Sequence, residues 1–185
     1  MDSYKTLNFT TQSILYTMRH AEEIQKFIET ATEGVDSIVL DGGLAPMFLI
    51  LHCDTDSGEY TMTPFEIPSM LMDSDKGKDI LVQVFLPTIK EILKENDQEI
   101  VCICFTSEIW RYAMKKDYVP ESNVNYREEH EEKKEACFWA FYLKDKTIHA
   151  FREMLRDGEK LVGLGELEVM NIKNEDNAGR FSNLF

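Results

Sequence analysis

The stretch Glu99 to Trp110, E-I-V-C-I-C-F-T-S-E-I-W, decides the fold. Its six consecutive apolar residues, Ile100 to Phe105, are β-branched, aromatic or Cys, the composition of a strand covered on both faces. The reading is a central strand. Side chains on a strand alternate with period two, so Val101, Ile103, Phe105, Ser107 and Ile109 share one face, and Cys102, Cys104, Thr106, Glu108 and Trp110 share the other. The second face passes from thiols to a carboxylate and an indole, the pattern of a strand whose end opens on a partly solvated pocket.

Further strands follow on either side. Ala136 to Leu143 is another continuous apolar run and a second central strand, with Cys137, Trp139, Phe141 and Leu143 on one face and Phe138, Ala140 and Tyr142 on the other. Upstream, the turn signals Asp41-Gly42-Gly43 and Asp54 to Glu59 bracket a hairpin with strands near 46–53 and 59–64. Downstream, Lys144-Asp145-Lys146 turns the chain into Thr147 to Arg156, which reads two ways. Ile148, Phe151 and Leu155 have helix spacing, yet Asp157-Gly158 is a strong hairpin signal. The strand is favoured, with Arg156 opposite Glu159, Met154 opposite Leu161 and Phe151 opposite Leu164. Lys160 to Met170 is then the last strand, where Gly163 and Gly165 mark a bulge or a close backbone approach.

Two long helices complete the pattern. From Thr10 to Ala31 the residues Ile14, Leu15, Met18, Ala21, Ile24, Phe27, Ile28 and Ala31 recur every three or four positions, a stripe expected to pack inward. Thr10 or Thr11 is placed to cap this helix and Gly34 to end it. The second helix starts at Asp73-Ser74-Asp75 and runs to Asn96, with Ile80, Leu81, Val84, Phe85, Ile89, Ile92 and Leu93 inside. Pro87 lacks the amide that would bond residue 83, which costs about 3 kcal/mol within a helix and demands a bend or a break. The expected architecture is α+β: a mixed or mainly antiparallel sheet of five to six strands, with two long helices packed on one face.

The chain has 185 residues, 43% apolar and 29% charged, as in an ordinary globular domain, and one domain spanning 1–185 is expected. Residues 111–134 read as a charged surface excursion and 171–185 as a C-terminal tail whose apolar ending docks on the body or on a partner. The longest apolar runs, Leu44 to Leu51 and Ala136 to Leu143, fall far short of the roughly 18 residues that cross a bilayer, and the N-terminus lacks a secretion signal. A cytoplasmic location without membrane contact follows as the expectation. The four cysteines lie in strand-like apolar runs with no C-x-x-C pair, so reduced, buried thiols are expected rather than disulfides or a thiolate zinc site.

The net charge of −14 disfavours direct nucleic-acid binding and leaves room for an acidic face that imitates nucleic acid and blocks a basic partner. The sequence has no phosphate loop, G-x-S-x-G elbow, H-E-x-x-H or dinucleotide fingerprint, and no cofactor is expected. His52, Asp54 and Asp56 share one strand face and form a weak metal candidate. Gly58 falls fifth rather than sixth from Asp54, so the EF-hand pattern fails, and a tight turn is the stronger reading. His130, among Glu128, Glu129, Glu131 and Glu132, reads as a solvated histidine.

Four short pieces carry a resemblance: Ser107-Glu108-Ile109-Trp110 at a strand end, Lys134-Glu135-Ala136 before the next strand, the hairpin Arg156-Asp157-Gly158, and the ending Gly179-Arg180-Phe181. Over its C-terminal half the chain resembles a loosely defined group of small bacterial and phage proteins, with Ile109 in place of the group's Ala. The group has no established activity, so the resemblance implies a shared fold. If these pieces cluster, Glu108, Trp110, Glu135, Arg156, Asp157 and Arg180 form a polar group near the ends of adjacent strands. That group is either an ion-pair network fixing strand register or a site. Three functions stay open: a non-catalytic protein that binds another protein, a small-molecule hydrolase using carboxylates near Glu108, and an acidic mimic of nucleic acid.

Overall fold

The fold is known from a computed structural model, which describes residues 9–34, 43–112, 133–173 and 184. The β-branched and aromatic runs form an antiparallel sheet of seven strands: β1 (Met47–Asp54), β2 (Tyr60–Glu66), β3 (Gln98–Tyr112), β4 (Lys133–Tyr142), β5 (Lys146–Asp157), β6 (Lys160–Leu164) and β7 (Glu168–Lys173). Their order is β2-β1-β3-β4-β5, with β6 and β7 both paired to β5. Strand β3 is central as expected, and Cys104 is wholly buried. It also runs past Trp110 to Tyr112, pairing with β4 over ten positions from Ile103↔Tyr142 to Tyr112↔Lys133. The expected excursion is therefore shorter than 111–134 at both ends, and its remainder lies outside the described residues.

Each sheet face has its own core. The first holds Leu49, Leu51, Cys102, Cys104, Cys137, Trp139 and Phe141, and the second holds Phe48, Ile103, Phe105, Ala140 and Tyr142. Val101 departs from the alternation and joins the first core. The β1–β3 register shifts between Leu51 and His52, so Cys102 faces Leu51, Ile100 faces His52, and Val101 is the extra residue of a bulge. All four cysteines are free and buried, and burial pushes the Cys102 and Cys104 thiols well up.

The helices do not share one face. Helix α2 (Ala21–Glu33) contributes Ile24, Phe27, Ile28 and Ala31 to the first core, whereas α4 (Asp75–Ile80), α5 (Leu86–Glu95) and the π turn between them (Leu81–Phe85), after the single turn α3 (Ser69–Met72), bring Leu81 and Leu86 to the second. A sheet with an apolar run on both faces needs a cover on each. The expected first helix is two helices, α1 (Phe9–Arg19) and α2, parted at His20. Thr10 and Thr11 fall inside α1 rather than capping it, while Gly34 does terminate α2. In the second region Ser74 caps α4 as anticipated, accepting from the Gly77 amide at 3.0 Å.

Pro87 leaves its mark as a π turn. Leu81–Phe85 form it, with the Leu86 amide bonded to the Leu81 carbonyl, and Pro87 falls in the first turn of α5, where a missing amide costs nothing. The extra residue shifts the inward stripe by one position. Gly77, Leu81, Leu86 and Ile89 are buried, while Ile80, Val84 and Ile92, expected inside, are exposed.

Residues 146–157 are a strand, and the hairpin loop lies one residue later than expected, so partners move by two positions beside the loop and by three beyond the bulge. Gly158 and Glu159 form the loop, with Asp157 opposite Lys160, Arg156 opposite Leu161, Met154 opposite Leu164 and Phe151 opposite Glu168. Gly158, at φ 62°, takes the positive angle that the first loop position of a type II′ turn requires. A bulge between Leu155 and Arg156 faces Gly163, and the Gly165 amide reaches the Glu153 carbonyl at 2.7 Å, so both glycines mark the irregularities foreseen for them. Strand β7 continues to Lys173, and Leu184 of the tail is buried in the second core.

Candidate functional site

The polar group expected at the strand ends is brought together only in part. Trp110 and Glu135 are cross-strand partners on β3 and β4, and the Arg156 guanidinium pairs with Glu135 through Nε while Nη1 donates to the Glu159 carbonyl at 3.0 Å. Trp110 is half exposed, and Asp157 is exposed at the mouth of the β5–β6 turn. Glu108 lies opposite Cys137 and serves a different contact. Its Oε1 accepts the Leu44 amide at 2.7 Å and holds the segment leading into β1. Gly43, at φ 85°, lets that segment approach, since a Cβ there would lie 2.6 Å from the same oxygen. Arg180 lies outside the described residues, as does His130.

His52, Asp54 and Asp56 are likewise occupied with local structure. His52 lies with Nδ1 2.8 Å from Gln98 Oε1 and Nε2 2.9 Å from Thr63 Oγ1, so both ring nitrogens have protein partners. Asp54 accepts the amides of Ser57 (2.7 Å) and Asp56 (3.0 Å) through Oδ1 and Gln98 Nε2 (2.8 Å) through Oδ2. The Ser57 amide above all holds the Asp54 carboxyl below its usual range. Among the described residues no group of three or more His, Cys, Asp or Glu side chains is arranged to hold a metal ion.

The feature that the sequence reading missed is the orientation of α1. Its inward stripe is Ser13, Tyr16, Thr17 and His20, spaced as a helix face at i, i+3, i+4 and i+7. Each of the last three is anchored by a polar contact. Tyr16 donates its hydroxyl to the Ile100 carbonyl at 2.9 Å, and Thr17 donates to Asp145 Oδ1. Lys144 Nζ sits 3.2 Å from the centre of the Tyr16 ring and 3.5 Å from Glu99 Oε1, a cation over an aromatic face beside its counter-ion. Burial, followed by the Glu99 charge, raises the Tyr16 hydroxyl far above its ordinary value.

His20 closes the stripe. Its side chain is buried, Nδ1 is 2.8 Å from the Tyr60 hydroxyl, and Nε2 has no hydrogen-bond partner. Burial, seconded by the Arg19 charge, holds its pKa below the ordinary value, and burial raises that of Tyr60. The signal was present in the sequence: His20 precedes Ile24 by four and Phe27 by seven, on the buried stripe of α2 carried back by one turn.

The apolar side chains of α1 consequently face outward. Ile14 is 44% exposed, Leu15 51% and Met18 67%, grouped on one side of the helix at i, i+1 and i+4. Exposed apolar residues occur elsewhere as well: Ile80, Val84 and Ile92 along the helical segment around the π turn, and Leu155, Val162, Leu167, Val169 and Met170 on β5, β6, β7 and the link between β6 and β7. Only α1, among the described helices, turns a polar stripe to the protein and an apolar one to solvent, the reverse of a packed surface helix.

This arrangement offers an apolar surface on a helix pinned from beneath by directional bonds, which fits docking. No helix among the described residues is long and apolar enough to cross a membrane. No family model, curated protein or solved structure matches the chain.

Proposed function

We propose that the chain is a non-catalytic protein-interaction protein of bacterial or phage origin, and that it docks a partner protein through the outer face of α1. The observation that carries this reading is the inverted helix: Ser13, Tyr16, Thr17 and His20 inside, Ile14, Leu15 and Met18 outside. Leaving three large apolar side chains about half exposed forgoes part of the roughly 1.5–3 kcal/mol that full burial of each would give, so a partner that covers them gains the remainder. The polar anchors fix the helix before the partner arrives, which lowers the ordering cost of binding.

The hydrolase reading has less support, because the Glu108 carboxylate is committed to the Leu44 amide and His52 alternates onto the opposite sheet face. A photo-reactive amino acid placed at Met18 in the native cell tests the proposal. It should yield a discrete cross-linked protein that is absent when the same group replaces Met70, an exposed residue of α3. Equal labelling from both positions, or none from Met18, would refute it.

A further inference from the structure

Resting on that reading, the charges around α1 say what kind of partner fits. Helix α1 contains no acidic residue and one Arg, whereas α2, which follows after a single residue, carries Glu22, Glu23, Glu29 and Glu33 against Lys26 alone. Lys26 is itself engaged by Glu22 at 2.9 Å and Glu23 at 2.8 Å. Glu22, Glu29 and Glu33 are exposed on α2, so beyond the break at His20 the helix that follows the apolar patch presents carboxylates to solvent. Beneath both lies a chain of net charge −14.

We infer that the occupant of this face is an amphipathic helix of a partner protein whose apolar side chains are flanked by Lys and Arg. Charges of that sign complement the glutamates and are drawn to the whole chain, which raises the association rate and rejects acidic competitors. A second copy of this chain fits less well, because two chains of net charge −14 repel each other.

The test uses labelled model peptides and the full chain, read by fluorescence anisotropy. One peptide is an amphipathic helix of Leu and Lys, the second replaces Lys by Glu, and the third scrambles the Leu/Lys order so that no apolar face forms. The Leu/Lys helix should bind at least about tenfold more tightly than either control, lose about tenfold against the Leu15→Gln/Met18→Gln variant, and weaken as salt is added. Both substitutions are on exposed positions, and circular dichroism should show the variant folded. If Leu/Glu binds as well as Leu/Lys and both depend on Leu15 and Met18, the basic partner is wrong while the docking face stands. If Leu/Lys binds the variant as tightly as the native chain, or does not bind at all, the inference fails, and cross-linking from Met18 decides the reading beneath it.

Discussion

The hydroxyl of Tyr60 lies 2.8 Å from Nδ1 of His20, so a single hydrogen bond ties edge strand β2 to the junction of α1 and α2. Because Nε2 of the same ring is unpartnered, this bond is the sole hydrogen bond of a buried imidazole among the described residues. Tyr60→Phe removes it and leaves both ring nitrogens unsatisfied. The expected loss is about 1–3 kcal/mol of unfolding free energy, measured by urea denaturation. A change within error would show that the ring finds other partners.

His20 and His149 also set the response to acid. Burial holds both below the ordinary histidine value, so the folded chain keeps them neutral where the unfolded chain takes up protons. Below about pH 6.5 the unfolded state binds more protons, and stability falls by up to about 1.4 kcal/mol per pH unit for each residue until the folded pKa is reached. Above that range both states are neutral and the two residues add no pH dependence. Urea midpoints should therefore fall between about pH 7 and 5.5, with the His20 ring signal in proton NMR titrating below 6.5. A midpoint that rises on acidification would contradict this.

The π turn at Leu81–Phe85 is one residue more than an α-helix needs to place Leu81 and Leu86 on the same side. Deleting Gln83 together with Pro87→Ala should regenerate a continuous α-helix with both leucines still buried and retain the cooperative thermal transition. Deleting Gln83 alone returns Pro87 to a helix interior and should destabilise by about 3 kcal/mol relative to the combined change. Equal melting temperatures for the two would show that Pro87 does not shape the turn.

Gly43 and Glu108 should be energetically coupled. Alanine at Gly43 meets an unfavourable φ of 85° and the Glu108 carboxylate together, so Gly43→Ala should cost about 1–2 kcal/mol for the angle, plus the disturbed bond to Leu44. In a Glu108→Ala background the second part vanishes and the first remains. A double-mutant cycle giving strict additivity would show that the carboxylate does not hold this segment.

What the sequence discloses and what it conceals follow from the same physics. The runs Ile100 to Phe105 and Ala136 to Leu143 read correctly because strand alternation is fixed by the backbone, and the structure divides Phe138, Ala140 and Tyr142 from Trp139 and Phe141 as period two requires. Bulges break that rule locally. Val101 changes cores, and the β5–β6 register slips so that Arg156 pairs with Leu161 but Leu155 with Gly163. The helices misled more seriously. Helical periodicity shows that a stripe exists without saying which side of the helix meets the sheet. In α1 four polar contacts outweigh the apolar stripe formed by Ile14, Leu15 and Met18. Of the polar group foreseen around Glu108, the carboxylates have separate partners, because backbone amides compete with cations for them: the Leu44 amide takes Glu108 while Arg156 takes Glu135.

Unfolding of the variant Ile14→Gln/Leu15→Gln/Met18→Gln tests most directly whether α1 faces outward. Gln preserves helix propensity, and the three side chains are already about half in water, so the unfolding free energy should fall by no more than about 4 kcal/mol. A loss of about 6 kcal/mol or more, the scale of truncating three core side chains, would mean that these residues pack inside and that the docking face does not exist.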